Sequence, residues 1–311
     1  MKIALNMSII IFGSINIDLI TTTPRLPTSG ETINGNNFFT AGGGKGGNQA
    51  VAAARLGIPT TMVGRVGNDS FGQQLLASLQ GANVDTIGVV VDENIHTGVA
   101  VIAVDARGEN SIIVVPGANH SINNIDVERL RNLLLDVTVL LLQLEIPLEF
   151  AMSAAKVAQE MGVKVILDPA PMPVNFPNDF YGLIDIITPN EIEASQLVGF
   201  SVNDRETATQ AAIELCKRGV KNAVVKIGDR GVVCATEEET FFQPAFVVEA
   251  IDTVAAGDAF NGGLAAALDT GLSLKDAVKW GAAAGALCVT KSGAQPAMTD
   301  RKTFDNFLLR R

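Results

Sequence analysis

Along the chain, short runs of β-branched and other apolar residues alternate with longer stretches whose apolar positions recur every three or four residues. "TTMVGRV" (60–66), "VTVLLLQLE" (137–145), "VKVILD" (163–168), "LIDIIT" (183–188) and "NAVVKIG" (222–228) have the length and composition of buried strands. Between them, "PLEFAMSAAKVAQEMG" (147–162) and "ATQAAIELCKRG" (208–219) carry the helical period. This alternation predicts an α/β fold with a mostly parallel central sheet covered by helices on both faces. Two regions break the rhythm. Residues 15–40 and 97–115 hold successive strand-like segments with no helix between them, the second folding back through Asp105–Gly108. They predict a small sheet projecting from the main body, a candidate lid.

The opening "MKIALNMSIIIFGSI" has the look of a short signal peptide, but it lacks a clear small-residue cleavage site and runs into "NIDLI". We read it as a buried first strand. "FVVEAI" (246–251) also reads as a strand, ahead of the turn "DTVAAGDAF" (252–260). The last third is helical: one helix ends near Gly271, and the next opens with Ser273 as N-cap and closes before Gly293. The small residues from Gly281 to Ala286 suit close helix packing.

Composition narrows the functional classes. Of 311 residues, 47% are hydrophobic and 18% charged, a globular balance, and no stretch nears the roughly 18 uninterrupted apolar residues of a membrane span. A net charge of −10, with a single Trp and a single Tyr, argues against nucleic acid as a partner. Cys216, Cys234 and Cys288 are far apart and lack metal-ligand spacing, so neither a disulfide framework nor a zinc site is expected, and the reducing cytoplasm is the expected location.

Three stretches carry candidate chemistry. "AGGGKGGNQA" (41–50) places five glycines around Lys45 ahead of a helix beginning "QAVAAARLG". Gly42, Gly44 and Gly47 match G-x-G-x-x-G, yet the first strand passes into the antiparallel insert before they arrive, which is the wrong place for a dinucleotide fingerprint. No Ser or Thr follows Lys45 as a Walker loop requires. What remains is a turn exposing backbone beside one cation and the Asn48 amide, suited to a polyhydroxylated or anionic ligand, or else simply a tight structural turn. In "DTVAAGDAF", Ala255, Ala256 and Gly257 put small residues at a helix N-terminus, where free N–H groups can stabilise a transferring phosphoryl group. Asp258 in the same turn can accept a proton from a hydroxyl, or serve only as a favourable first-turn acid. In "TPNEIEASQL" (188–197), Asn190 and Glu193 share a helix face; they can hold Mg²⁺ through water or form a capping box.

Taken with "GSINIDLI", "PTSGET", "VGNDSFG", "TGVAVI", "PGAN", "QLE", "DPAP", "GDRGV" and "GAQP", these stretches make nearly the whole chain resemble the ribokinase-like, PfkB-type family of sugar kinases. The resemblance implies one three-layer α/β/α kinase domain, residues 1–311, with a small β lid that also serves as a homodimer contact. It implies ATP-dependent phosphorylation of a sugar, first of all D-ribose to D-ribose 5-phosphate, with deoxyribose, another sugar or a nucleoside as alternative acceptor. By this likeness Asn16, Asp18, Gly44, Lys45, Asn48 and Glu145 bind sugar, and Asp258 is the general base. The amides of Ala255, Ala256 and Gly257 form an anion hole. Asn190 and Glu193 organise Mg²⁺ and the ATP phosphates; Lys226, Gly228 and Gly231 lie along the nucleotide. K⁺ is held near Asp252, Val254, Cys288, Lys291 and Gly293, chiefly by carbonyls. Three positions depart from the family pattern: Lys226 replaces a hydroxyl residue of "T-x-G", "DPAP" stands for "NPAP", and Ala297 lies where some relatives offer a hydroxyl. A dinucleotide oxidoreductase and a non-catalytic sugar or nucleotide sensor are the readings from other classes. Bound nicotinamide absorbance tests the first, and ADP release tests the second.

Overall fold

The computed structural model describes residues 9–310, so the part of the first-strand reading that falls on residues 1–8 lies outside the described residues. In chain order the strands are β1 (Ile9–Phe12), β2 (Asn16–Thr22), β3 (Asn37–Gly43), β4 (Thr60–Gly67), β5 (Val84–Asp92), β6 (Gly98–Val104), β7 (Asn110–Val115), β8 (Val139–Leu142), β9 (Lys164–Leu167), β10 (Ile186–Ile187), β11 (Asn222–Lys226), β12 (Gly231–Ala235) and β13 (Thr240–Pro244). The helices are α1 (Lys45–Arg55), α2 (Ser70–Gly81), α3 (Asn124–Leu133), α4 (Leu148–Glu160), α5 (Asn178–Tyr181), α6 (Glu191–Val198), α7 (Arg205–Lys217), α8 (Ala256–Asp269), α9 (Leu274–Cys288) and α10 (Arg301–Leu309).

Nine strands form the central sheet in the order β13-β12-β11-β10-β9-β8-β1-β4-β5. It is parallel except for β12 and β13, which fold back as hairpins on one edge. Its strands read as continuous apolar runs because both faces are covered. In β1, Ile9 and Ile11 enter a cluster with α1, α2, α8, α9 and α10, while Ile10 and Phe12 enter a second cluster with α3 to α7. All four are fully buried, and each such side chain contributes about 1.5–3 kcal/mol.

β1 lies between β4 and β8, so the chain runs outward from it in both directions. At such a switch point the crevice beyond the C-terminal strand ends is left uncovered and becomes the natural ligand site. A second sheet, ordered β3-β2-β6-β7, rises beside it. Its outer pairs are antiparallel, as the two inserts predict, and a parallel β2–β6 pairing joins them.

Two local expectations are corrected. "FVVEAI" is not a strand. β13 ends at Pro244, and the chain then turns to α9, where the N–H groups of Ile251 and Asp252 both donate to the Val289 carbonyl. The helix after the Gly-rich stretch starts at Lys45 rather than Gln49, so Gly46 and Gly47 lie inside α1. Close packing explains this: a Cβ on Gly46 would stand 2.7 Å from the Ser14 carbonyl oxygen. The same economy of bulk joins α8 to α9, where a Cβ on Gly263 would lie 2.8 Å from that of Ala284. Among the described residues no helix is long and apolar enough to cross a membrane.

Candidate active site

The C-terminal ends of four parallel strands supply part of the candidate site. Glu145 follows β8, Asp168 follows β9, Asn190 follows β10, and Lys226 closes β11. α1 and α8 complete the crevice by presenting their N-terminal turns. Gly44, in the left-handed region at φ 78°, caps α1; a Cβ there would meet the Asn16 backbone nitrogen at 2.7 Å. The tight-turn reading of the Gly-rich stretch therefore holds, since the turn is what lets the ends of β1 and α1 approach each other.

Asp258, in the first turn of α8, is buried. Its carboxylate accepts from the Asn48 amide (2.9 Å), which lies 210 residues away in sequence, and from the Gln49 amide (3.1 Å). Burial pushes its pKa up to about 6; Lys45, Asn48 and Gln49 oppose the rise and the Asp168 charge adds to it. The group is ionised at neutral pH yet remains basic enough to take a proton. Burial also raises Asp18, helped by the Glu145 and Asp258 carboxylates, to about 7. Burial works against the Lys45 charge, but Asp258, Asp168, Glu145 and Glu193 together outweigh it and hold the ammonium protonated. Glu145 accepts the Lys45 backbone N–H (3.0 Å) and the Ser14 hydroxyl (2.5 Å), fixing the start of α1. The side-chain oxygen of Asn48 is buried without a partner among the described residues, an acceptor fit for a ligand hydroxyl.

Asn16 is buried, and its side-chain oxygen accepts from Asn119 (2.7 Å). Asn119 also accepts from the Ile15 N–H (2.9 Å) and donates to the Pro116 carbonyl (3.0 Å), stapling the base of β2 to the segment after β7. Sequence reasoning passed over Asn119 and Gln49, and noted Asp168 only as the departure of "DPAP" from "NPAP". Each sat in view, in "PGAN", "GGNQA" and "DPAP", but nothing local marks their partners.

The nucleotide-side candidates are held more locally. Asn190 and Glu193 cap α6 through mutual hydrogen bonds of 2.8, 2.9 and 2.9 Å, so the capping-box expectation holds. Burial raises the Glu193 pKa, the Asp168 charge adds to it, and Lys226 opposes it. Gly228 (φ 60°) and Gly231 (φ 126°) bracket the β11–β12 turn, which an Arg230–Glu191 ion pair ties to α6. Lys226 pairs with Asp168 at 3.3 Å. At the start of α8, Ala255 adopts φ 57°. The Ala256 N–H donates to the Thr253 carbonyl (3.3 Å), while the N–H groups of Ala255 and Gly257 have no partner among the described residues.

The cation-site candidates converge as well. Asp252 accepts from the N–H groups of Val254 (3.0 Å) and Gly293 (2.8 Å), and the Cys288 thiol lies 3.7 Å from the Val254 carbonyl oxygen. The Lys291 N–H donates to the Cys288 carbonyl (3.1 Å). Burial, then the Asp258 and Asp252 charges, push the Cys288 thiol up to about 11.

Known proteins are similar to this chain over nearly its whole length. A ribokinase of Haemophilus influenzae is 39% identical over 298 residues, spanning 96% of this chain and 97% of that one. A deoxyribokinase of Salmonella typhi is 34% identical over 302 residues, 97% of this chain and 99% of that one. The structure of Arabidopsis thaliana ribokinase complexed with ribose and ATP matches with a TM-score of 0.90 and 37% identity, covering 97% of this chain and 98% of that one. Residues 6–301 match the family described as pfkB family carbohydrate kinase, and the chain belongs to that family of ATP-dependent sugar kinases.

Proposed function

We propose that this chain transfers the terminal phosphoryl group of ATP to the 5-hydroxyl of D-ribose, giving D-ribose 5-phosphate and ADP. The observation that carries the reading is the Asp258 carboxylate, held by the Asn48 and Gln49 amides beside the open N–H groups of α8. Asn16, Asp18, Gly44, Lys45, Asn48 and Glu145 orient the sugar. Asp258 removes the proton as the hydroxyl oxygen attacks the γ-phosphorus, and the bond to the β–γ bridging oxygen breaks, releasing ADP. Charge on the phosphoryl oxygens meets the amides of Ala255 and Gly257, and that of Ala256 once it leaves Thr253. Gly228, Gly231 and Lys226 line the nucleotide.

Asn190 and Glu193 fit a magnesium ion held through water, because their mutual bonds fix the carboxylate yet leave acceptor lone pairs. Bound there, magnesium supplies neutralisation of phosphate charge. Asp252 already accepts two backbone N–H groups, so the carbonyls around it, Val254, Cys288, Lys291 and Gly293 are the donors that suit K⁺.

The domain works as one unit with the small sheet as a lid that excludes water from ATP. Phe38, Phe39, Val101, Ile112 and Ile113 are exposed on that sheet, an apolar surface suited to a homodimer contact. Cys216, Cys234 and Cys288 are free thiols, consistent with the cytoplasm.

The full-length match to a deoxyribokinase supports a second reading in which deoxyribose is the acceptor. ADP release, measured over pentoses, deoxyribose, hexoses and nucleosides with and without K⁺, tests both. Highest kcat/KM with D-ribose supports the proposal, and a higher value with another acceptor overturns it in that acceptor's favour.

A further inference from the structure

Lys226 ends β11 with its backbone N–H donated to the Pro189 carbonyl (2.9 Å), so its position is fixed by the sheet. Its side chain passes near the Phe260 ring, with Nζ 5.9 Å from the centroid. The ammonium lies 3.3 Å from an Asp168 oxygen and 3.4 Å from where a Cβ on Gly257 would stand. It is therefore placed against the N-terminal end of α8, beside the open Gly257 amide. A cation there is repelled by the positive end of the helix dipole unless an anion lies between them.

Asp168 supplies only part of that compensation, because it is shared. One of its oxygens faces Lys226, and the other accepts from the Gln49 amide (3.1 Å), which also donates to Asp258. The side chains of Lys226 and Asp168 are 14% and 3% exposed, so water screens the arrangement poorly. The two departures from the family pattern, Lys for a hydroxyl residue and Asp for Asn, thus face each other and cancel in charge.

We infer that Lys226 is a catalytic residue whose ammonium binds the γ-phosphoryl group of ATP at the N-terminus of α8, and that Asp168 holds it in place until the nucleotide arrives. The inference rests on the kinase reading and extends it. A hydroxyl at this position donates one neutral hydrogen bond; the ammonium adds a full charge next to the group being transferred. No bond to Lys226 forms or breaks. The proton goes to Asp258, the phosphoryl group goes to the sugar oxygen, and the electron pair of the broken bond leaves with ADP.

The test is direct binding of two nucleotides, in magnesium and without sugar: ADP and a non-hydrolysable ATP analogue. In Lys226→Met the analogue should bind about tenfold more weakly or worse, with ADP affected far less. Lys226→Thr, which leaves Asp168 unpaired just as Lys226→Met does, should lose a similar amount, and adding Asp168→Asn to it should recover only the part due to the uncompensated carboxylate, leaving the analogue still about tenfold weaker than in the wild-type chain. Equal weakening toward both nucleotides, or no weakening, overturns the inference. If Lys226→Met fails to fold, the charge-neutral double variant carries the same comparison against the wild-type chain. Failure of the wild-type chain to bind either nucleotide would instead sink the kinase reading itself.

Discussion

The proposed sugar half and the proposed nucleotide half of the crevice are built on different principles. On the sugar side, Asn16, Asn48, Glu145 and Asp258 are fixed by bonds between elements remote in sequence, as in the 210-residue separation of Asn48 and Asp258. On the nucleotide side, Asn190 with Glu193, and Gly228 with Gly231, are set by a single cap and a single turn. Substitutions on the first side should disturb chemistry and sugar recognition at once, whereas those on the second should shift ATP parameters within an intact fold.

The largest effect should come from Asp258→Asn, which keeps the shape but removes the base. Turnover should fall about 10²-fold or more while sugar binding is largely kept. Near-normal turnover would remove Asp258 from its role and with it the contrast between the halves.

Next is pH. Because burial raises the Asp258 pKa, to about 6, the base is ionised above that value and protonated below it. The logarithm of kcat/KM should therefore fall by at least about one per pH unit below pH 6, the limiting slope for loss of a single base. A profile flat to pH 5 would contradict the assignment.

Lys45→Met and Asn48→Ala should each raise the KM for sugar by about tenfold or more, the scale of a lost charged or buried hydrogen bond, and raise that for ATP far less. The reverse ranking in steady-state kinetics would place the Gly-rich turn on the nucleotide. The smallest effect is expected of Gly228→Ala, where a Cβ meets only the edge of Glu191 at 3.9 Å but φ is 60°. The strain of about 1 kcal/mol corresponds to at most about a fivefold rise in the KM for ATP, with the KM for sugar unchanged.

Much of the fold was legible because burial on both faces writes itself as apolar runs, and helix caps such as Ser273 and Asn190 follow local rules. "FVVEAI" misled because its apolar residues serve a crossing rather than a ladder. Val247 is 81% exposed, and the segment is anchored by Val289 at the end of α9, which no local pattern reveals. The start of α1 was misplaced because glycines discourage helix in isolation, whereas here Ser14 leaves no room for a larger residue. Within the site, single residues could be named from motifs but their partners could not. Lys226 and Asp168 are 58 residues apart, and only the parallel order β9-β10-β11 brings them within reach.

Asn16 stands where β2 leaves the body, stapled by Asn119, and Asp18 lies two residues farther out on the same face of the strand. A swing of the small sheet about that root would carry Asp18 through a wider arc, as a door moves more at its handle than at its hinge. If Asp18 binds a sugar hydroxyl as proposed, an acceptor lacking that hydroxyl should leave the door ajar, and ADP appearing without sugar phosphate would be its signature.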